Sequence, residues 1–315
     1  MTQIQRKAVA IGGGTGLPKV LWSLLEMGFD TSAVVTMADD GGSSGKLRRE
    51  LGMLPPGDAR NCLVSMAADP DSTIARVFSY RFPAGGELEG HSLGNLIIAG
   101  LTDIEGSFPA ALAAAGQALG SRGRVIPSTL DDVVLAAEDV NGERVVGQRN
   151  VAVSPAPISC VHYAGEARAT AYAPAAHAIE DADVVVIGPG SLFTSILPNF
   201  LVEGLLDALK RTRGRVVYVC NVANQRGETT GMDAADHLDA LERHGLGGCI
   251  DVVLVHDEAR YPLPCDADAV HADAASLARL AEAGVQVRLA DLADLADWRH
   301  HDRDALLAAL REVIR

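Results

Sequence analysis

Two hydrophobic periods alternate along the chain. Residues 7–11 are a short, continuously apolar run, and Leu17, Val20, Leu21, Leu24 and Leu25 follow at helical spacing. A strand, a glycine turn and a helix from Leu17 to Glu26 are therefore predicted. The unit repeats: Ala33 to Met37 reads as a strand, Asp39-Asp40-Gly41-Gly42-Ser43-Ser44-Gly45 as a loop, and Lys46 to Leu51 as a helix. Pro55-Pro56-Gly57 makes a stiff turn, and Asp58 is placed to cap a helix through Leu63, Val64 and Met66. Later come three more apolar runs, Asp183 to Ile187, Arg215 to Cys220 and Asp251 to Val255, with crossover helices marked by Leu201, Leu205, Leu206 and Leu209 and by Ala235, Leu238 and Leu241. Continuous Val/Ile runs without alternation belong to strands covered on both faces, as in a parallel sheet.

The rhythm breaks once. An alanine-rich helix from about Phe108 to Leu119 precedes two β-rich segments, Asp132 to Asp139 and Arg144 to Val153, around Asn141-Gly142, a strong hairpin signal. The pattern predicts an α/β protein with a mostly parallel sheet and a small α+β insertion carrying an antiparallel hairpin, at about residues 105–175. With 315 residues, 48% of them hydrophobic, the chain can bury a full core. One domain over 1–315 is expected.

Charge narrows the partners. A formal net charge of -14 argues against a nucleic-acid backbone or an anionic membrane as the main ligand, so an anionic ligand needs a local positive site. No apolar stretch approaches the ~18 residues a membrane span requires. Arg6-Lys7 and the apolar run after it superficially resemble a secretory leader, but three glycines interrupt the run, which fits a first strand better. Cys62, Cys160, Cys220, Cys249 and Cys265 are odd in number and lack zinc-site spacing, which suits reduced thiols, mostly in the core, and a cytoplasmic location.

Candidate chemistry follows the strands, where a parallel sheet gathers its ligand loops. Gly12-Gly13-Gly14-Thr15-Gly16 lets the backbone approach a phosphate, with amides at a helix N-terminus and the Thr15 hydroxyl as donors. It is neither a dinucleotide fingerprint nor a Walker loop, and a tight turn without ligand would look the same. Asp39 and Asp40 stand where an acid accepts from ribose hydroxyls, or where two acids hold a divalent cation such as magnesium. Asp58, Arg60 and Asn61 form a second polar group, with Arg60 able to meet a phosphate; capping explains Asp58 equally well. His91, in Gly90-His91-Ser92-Leu93-Gly94-Asn95, is expected as a contact. Gly188-Pro189-Gly190-Ser191 reads as a second anion-holding turn, so a diphosphate is favoured over a single phosphate. Arg260 follows a strand and is a candidate phosphate contact by position, whereas His300-His301 is assigned to solvent and Asp302 to a helix cap.

These motifs, with Thr194-Ser195-Ile196-Leu197-Pro198-Asn199 and Tyr218-Val219-Cys220-Asn221, resemble the YvcK-like gluconeogenesis factors of the CofD-like superfamily. The resemblance covers most of the chain and weakens after about residue 250. It implies a Rossmann-like three-layer α/β/α fold and binding of UDP-sugars, notably UDP-N-acetylglucosamine. It also implies a regulatory role in cell shape and cell-wall synthesis during growth on gluconeogenic carbon, exerted through a regulatory protein partner, with no established reaction. The ligand-site candidates on this basis are Gly13, Gly14, Thr15, Gly16, Asp39, Asp40, Ser43, Ser44, Asp58, Arg60, Asn61, His91, Asn95, Gly188, Gly190, Ser191, Ser195, Asn199 and Asn221; no catalytic residue is assigned. One departure is Ala223-Asn224-Gln225-Arg226-Gly227-Glu228-Thr229, where the family carries proline at the position of Arg226. That exchange frees the backbone and adds a charge.

Two other functions compete. A transferase like the 2-phospho-lactate transferases would move a phospholactyl group from a nucleotide diphosphate to a deazaflavin, with magnesium on Asp39 or Asp40. That branch carries a Gly-Pro-Ser-Asn-Pro type turn where this chain has Gly188-Pro189-Gly190-Ser191-Leu192, which ranks it second. An NAD-dependent dehydrogenase ranks last, since its fingerprint is absent. The sequence leaves the metal requirement and the oligomeric state open, a homo-oligomer included.

Overall fold

Seven parallel strands form the central sheet of the protein, in a computed structural model that describes residues 5–165, 168–263 and 268–314. In chain order the strands are β1 (Lys7–Gly12), β2 (Asp30–Val35), β3 (Arg124–Pro127), β4 (Leu135–Asp139), β5 (Arg144–Val146), β6 (Ile158–Tyr163), β7 (Val184–Ile187), β8 (Arg215–Val219), β9 (Val252–His256) and β10 (Gln286–Ala290). The main sheet runs β10-β9-β8-β7-β1-β2-β3. β4, β5 and β6 form a separate antiparallel sheet in the order β5-β4-β6. The α/β expectation with a parallel sheet and an antiparallel excursion is met.

Burial explains the apolar runs. Every residue of β7 and of β9 is buried, as strands with helices on both faces require. The helix Leu17–Glu26 forms where its period indicated, with Leu17, Val20, Leu21, Leu24 and Leu25 all inside. At ~25 cal/mol per Å² of apolar surface, such a fully buried side chain contributes roughly 1.5–3 kcal/mol.

Several boundaries differ from the sequence reading. The helix expected from Lys46 begins at Gly42, because Gly41 is extended and Gly42 takes φ +47, so Ser43 and Ser44 are helical and buried rather than in a loop. Asp58 does not cap its helix: Gly57–Ser65 has Pro56 at the cap position and Asp58 inside the first turn. The segment after Arg144 stays extended only to Val146 and then forms a short helix, Gln148–Val151, while Leu201 lies outside the helix Leu205–Arg211. Cys62 and Cys220 are buried free thiols, Cys160 and Cys249 are half-buried, and Cys265 lies outside the described residues. No helix among the described residues is long and apolar enough to cross a membrane.

Strand order fixes the place of the site. The chain runs outward from β1 through β2 to β3, then returns to lay β7 on the other side of β1 and continues to β10. The loops after β1 and β7 therefore diverge from neighbouring strands, which opens a crevice at the carboxyl edge.

Candidate functional site

A cleft of about 660 Å³ occupies that crevice, lined by Gly14, Thr15, Gly16, Lys19, Pro189, Gly190, Ser191, Ser195, Asn221 and Asn224 among others. Its two glycine turns touch. A Cβ on Gly16 would stand 2.5 Å from the Pro189 carbonyl oxygen, so only glycine lets the turns meet. Gly14 adopts φ +70, the left-handed conformation that glycine enters without strain. Asn221 ties in the third strand end: its Nδ2 donates to the Gly190 carbonyl at 2.8 Å, and the Gly190 N–H donates to its Oδ1 at 3.2 Å. Among the described residues the amides of Thr15 and Gly16 donate to no protein group, and they open to the cleft at the start of a ten-residue helix. A larger groove of about 940 Å³ lies at the opposite edge beside β3, lined by strand beginnings such as Lys7, Asp30 and Arg124 and by none of the glycine turns.

Two acids border the turns. Asp39 lines the cleft and accepts from the Gly41 N–H at 2.9 Å. Burial holds its carboxyl above the usual range against the opposing pull of Gly41 and Ser44. Asp58 lies beneath the first turn, where a Cβ on Gly13 would come within 2.5 Å of its Oδ2. Loss of hydration, reinforced by the Asp39 charge, pushes Asp58 up to about 7. Asp40 turns away: its carboxylate accepts from the Gln148 and Arg149 amides, each at 2.9 Å, and so caps the short helix of the excursion and sets Gln148 against the cleft. Ser44 accepts from the Gly57 N–H at 3.1 Å, which joins the segments that carry Asp39 and Asp58.

The other candidates stand behind this wall. Arg60 is buried with its guanidinium already committed, to Asn95 Oδ1 at 2.9 Å, the Phe78 carbonyl at 3.1 Å and Asn61 Oδ1 at 2.6 Å, so it supports the fold where the sequence suggested a phosphate contact. Ser43 Oγ bonds His91 Nδ1 at 3.2 Å and accepts from Asn95 Nδ2 at 3.1 Å within the same buried network. Gly188 closes the end of β7, and Asn199 donates inward to the carbonyls of Gly12, Ser195 and Ile196. Arg260 is exposed, its guanidinium 5.7 Å from the Tyr261 ring, and does not line the cleft.

Three features were missed by the sequence reading. Lys19, in the first turns of the helix after the glycines, reaches the cleft and donates to the His301 carbonyl at 2.5 Å. His301 is buried rather than solvated: its Nε2 lies 3.0 Å from the Cys220 carbonyl, and burial drops it to about 4, while His300 and Arg299 line the rim. Asp302 does cap the last helix, through the Ala305 amide. Glu228 is the third. It is buried against the turn after β7, accepting from the Phe193 amide at 3.3 Å and the Thr194 hydroxyl at 2.6 Å, and burial pushes it up to about 7. The positive end of the second turn thus already faces a carboxylate. Its spacing from Thr194 in sequence gave no signal, whereas a lysine just inside a helix that follows a glycine turn could have been flagged.

Fold and cleft together define a Rossmann-like α/β protein with a crevice at the topological switch point. The chain belongs to the CofD family: the family model described as 2-phospho-L-lactate transferase CofD matches residues 8–293. It is similar to the gluconeogenesis factor of Bacillus subtilis, 43% identical over 255 residues, covering 81% of this chain and 80% of that protein. The gluconeogenesis factor of Halalkalibacterium halodurans is 42% identical over 254 residues, 81% of this chain and 78% of the relative. A relative from Nostoc sp. is 44% identical over 257 residues, which are 80% of this chain but only 55% of the relative. The crystal structure of a UPF0052 family protein from Bacillus halodurans superposes with a TM-score of 0.88 at 37% identity, over 98% of this chain and 99% of that one.

Proposed function

We propose that the cleft binds a nucleotide sugar of the UDP class, UDP-N-acetylglucosamine foremost, and that the protein is a cytoplasmic regulator that passes ligand occupancy to a protein partner in cell-wall synthesis. One observation carries the reading. The Gly12–Gly16 turn presents the uncommitted Thr15 and Gly16 amides at the switch point, beside Asp39 at the end of the β2 loop. Amides at a helix start suit a phosphate, and an acid after the second strand suits ribose hydroxyls. The kinship with gluconeogenesis factors supports the regulatory role. Calorimetry with UDP-N-acetylglucosamine, UDP-glucose, GDP and NAD tests it. Saturable binding of a UDP-sugar is expected, weakened about fivefold or more by Thr15→Ala, which removes one donor. If no UDP compound binds, the reading fails.

A transferase reading has its own observation. Asp39 and Asp58 are near enough for the charge of one to raise the other, so this pair, rather than Asp39 with Asp40, would hold a magnesium ion against a diphosphate leaving group. Product from a deazaflavin acceptor, a nucleotide diphosphate donor and magnesium would move this reading to first place.

A further inference from the structure

A bound nucleoside diphosphate brings two phosphates, and the cleft offers them unequal partners. This holds if the cleft takes a nucleotide, as proposed above. The first turn has the Thr15 and Gly16 amides and the Thr15 hydroxyl, enough donors for one phosphate. The second turn is partly occupied from within: the Phe193 amide and the Thr194 hydroxyl serve Glu228 and the Gly190 amide serves Asn221, which leaves Ser191 and Ser195 as neutral donors on the cleft. A second anion placed there would meet neutral donors only, with the buried Glu228 carboxyl behind the turn.

Neutral donors do not cancel the second phosphate's charge, which calls for a cationic side chain, and the basic residues lining the cleft can be taken in turn. Arg299 is paired with Asp268 at 3.1 Å and stacked on Trp298 at 4.8 Å. His300 lies 3.4 Å from the Asp297 carboxylate. The His301 ring is buried against the Cys220 carbonyl. Lys19 differs from all three. Among the described residues no carboxylate lies within ion-pair distance of it, and its ammonium is held by one carbonyl, that of His301, which leaves two N–H groups for a ligand. Its helix also begins at the first turn, so amides and ammonium share one rigid element.

We propose that Lys19 neutralises the second phosphate of the ligand and is the residue that makes this cleft prefer nucleoside diphosphates over monophosphates. The His301 carbonyl acts as a rest that keeps the ammonium extended over the crevice, so little side-chain freedom is lost on binding.

The test compares UDP and UMP by calorimetry on the wild-type protein, Lys19→Gln, Lys19→Arg and, as a charge-matched control away from the cleft, Lys46→Gln. Wild type and Lys46→Gln are expected to bind UDP more tightly than UMP. Lys19→Gln is expected to lose about tenfold or more for UDP and little for UMP, with Lys19→Arg restoring most of the difference. A wild-type UDP/UMP ratio in Lys19→Gln overturns the assignment while the nucleotide reading stands. Loss of the ratio on adding EDTA to the wild type would also overturn it, since a metal ion would then carry the charge. Absence of UDP and UMP binding by the wild type sinks the nucleotide reading itself, and the Lys19 assignment with it.

Discussion

Asp58 and Glu228 contribute to the pH dependence of stability at the scale of single residues. Both carboxyls are pushed up to about 7 by burial, from ordinary values near 3.8 and 4.5. A group raised on folding contributes stability that is complete below its unfolded value and is lost as pH rises through its folded value. The loss therefore runs from about pH 4 to about pH 7. Asp58→Asn removes its titration while keeping the shape, so the variant should match the wild type near pH 4 and exceed it at pH 8. Urea midpoints at the two values check this, and a variant less stable than wild type at pH 8 would mean that the Asp58 charge is wanted in the folded state. Asp58 also illustrates what the sequence could convey. Its place at a helix start was legible from Pro55-Pro56-Gly57, but Pro56 takes the cap and the carboxyl folds beneath Gly13, a contact between residues 45 apart in the chain. Local signals carry no record of such contacts.

Elements were more legible than their joints. The Leu17–Glu26 helix and the buried strands follow from periodicity, because burying one stripe or both faces leaves a direct trace in the order of apolar residues. What joins the antiparallel excursion to the main fold leaves no such trace. Asp40 does this by receiving the Gln148 and Arg149 amides across more than a hundred residues, where sequence position alone suggested a ribose or metal ligand. Asp40→Ala should cost about 1 kcal/mol, as loss of a helix cap does, and should speed hydrogen exchange in β4 to β6 more than in β1 or β7. Uniform acceleration across both sheets would mean that the carboxylate stabilises the fold as a whole and does not act as a local clasp. Arg226 is the converse case. The departure from proline raised the prospect of an altered loop, yet Arg226 points outward to Asp268 while Glu228, two residues on, makes the buried contact.

For the whole molecule, the controlling fact is that one sheet brings four loops from distant parts of the chain to the same edge. The parallel sheet could be read from the sequence; the strand order β3-β2-β1-β7, which puts the switch point between the two glycine turns, could not, because register between non-consecutive strands is set by packing. A ligand held there bridges segments that are otherwise joined through few hydrogen bonds, Gly190 to Asn221 and Lys19 to His301 among them. At a hundredfold excess over its dissociation constant, a UDP-sugar should add about 2.7 kcal/mol to the folded state. Hydrogen exchange should then slow at Gly14 to Lys19, Gly190 to Ser195, Asn221 to Gln225 and Arg299 to His301, the segments lining the cleft. The amides of β3, which border the larger groove at the opposite edge, should exchange as in the free protein. Protection centred on β3 and the helix Phe108–Ala118 would move the ligand to that groove and leave the glycine turns as connections between strand and helix.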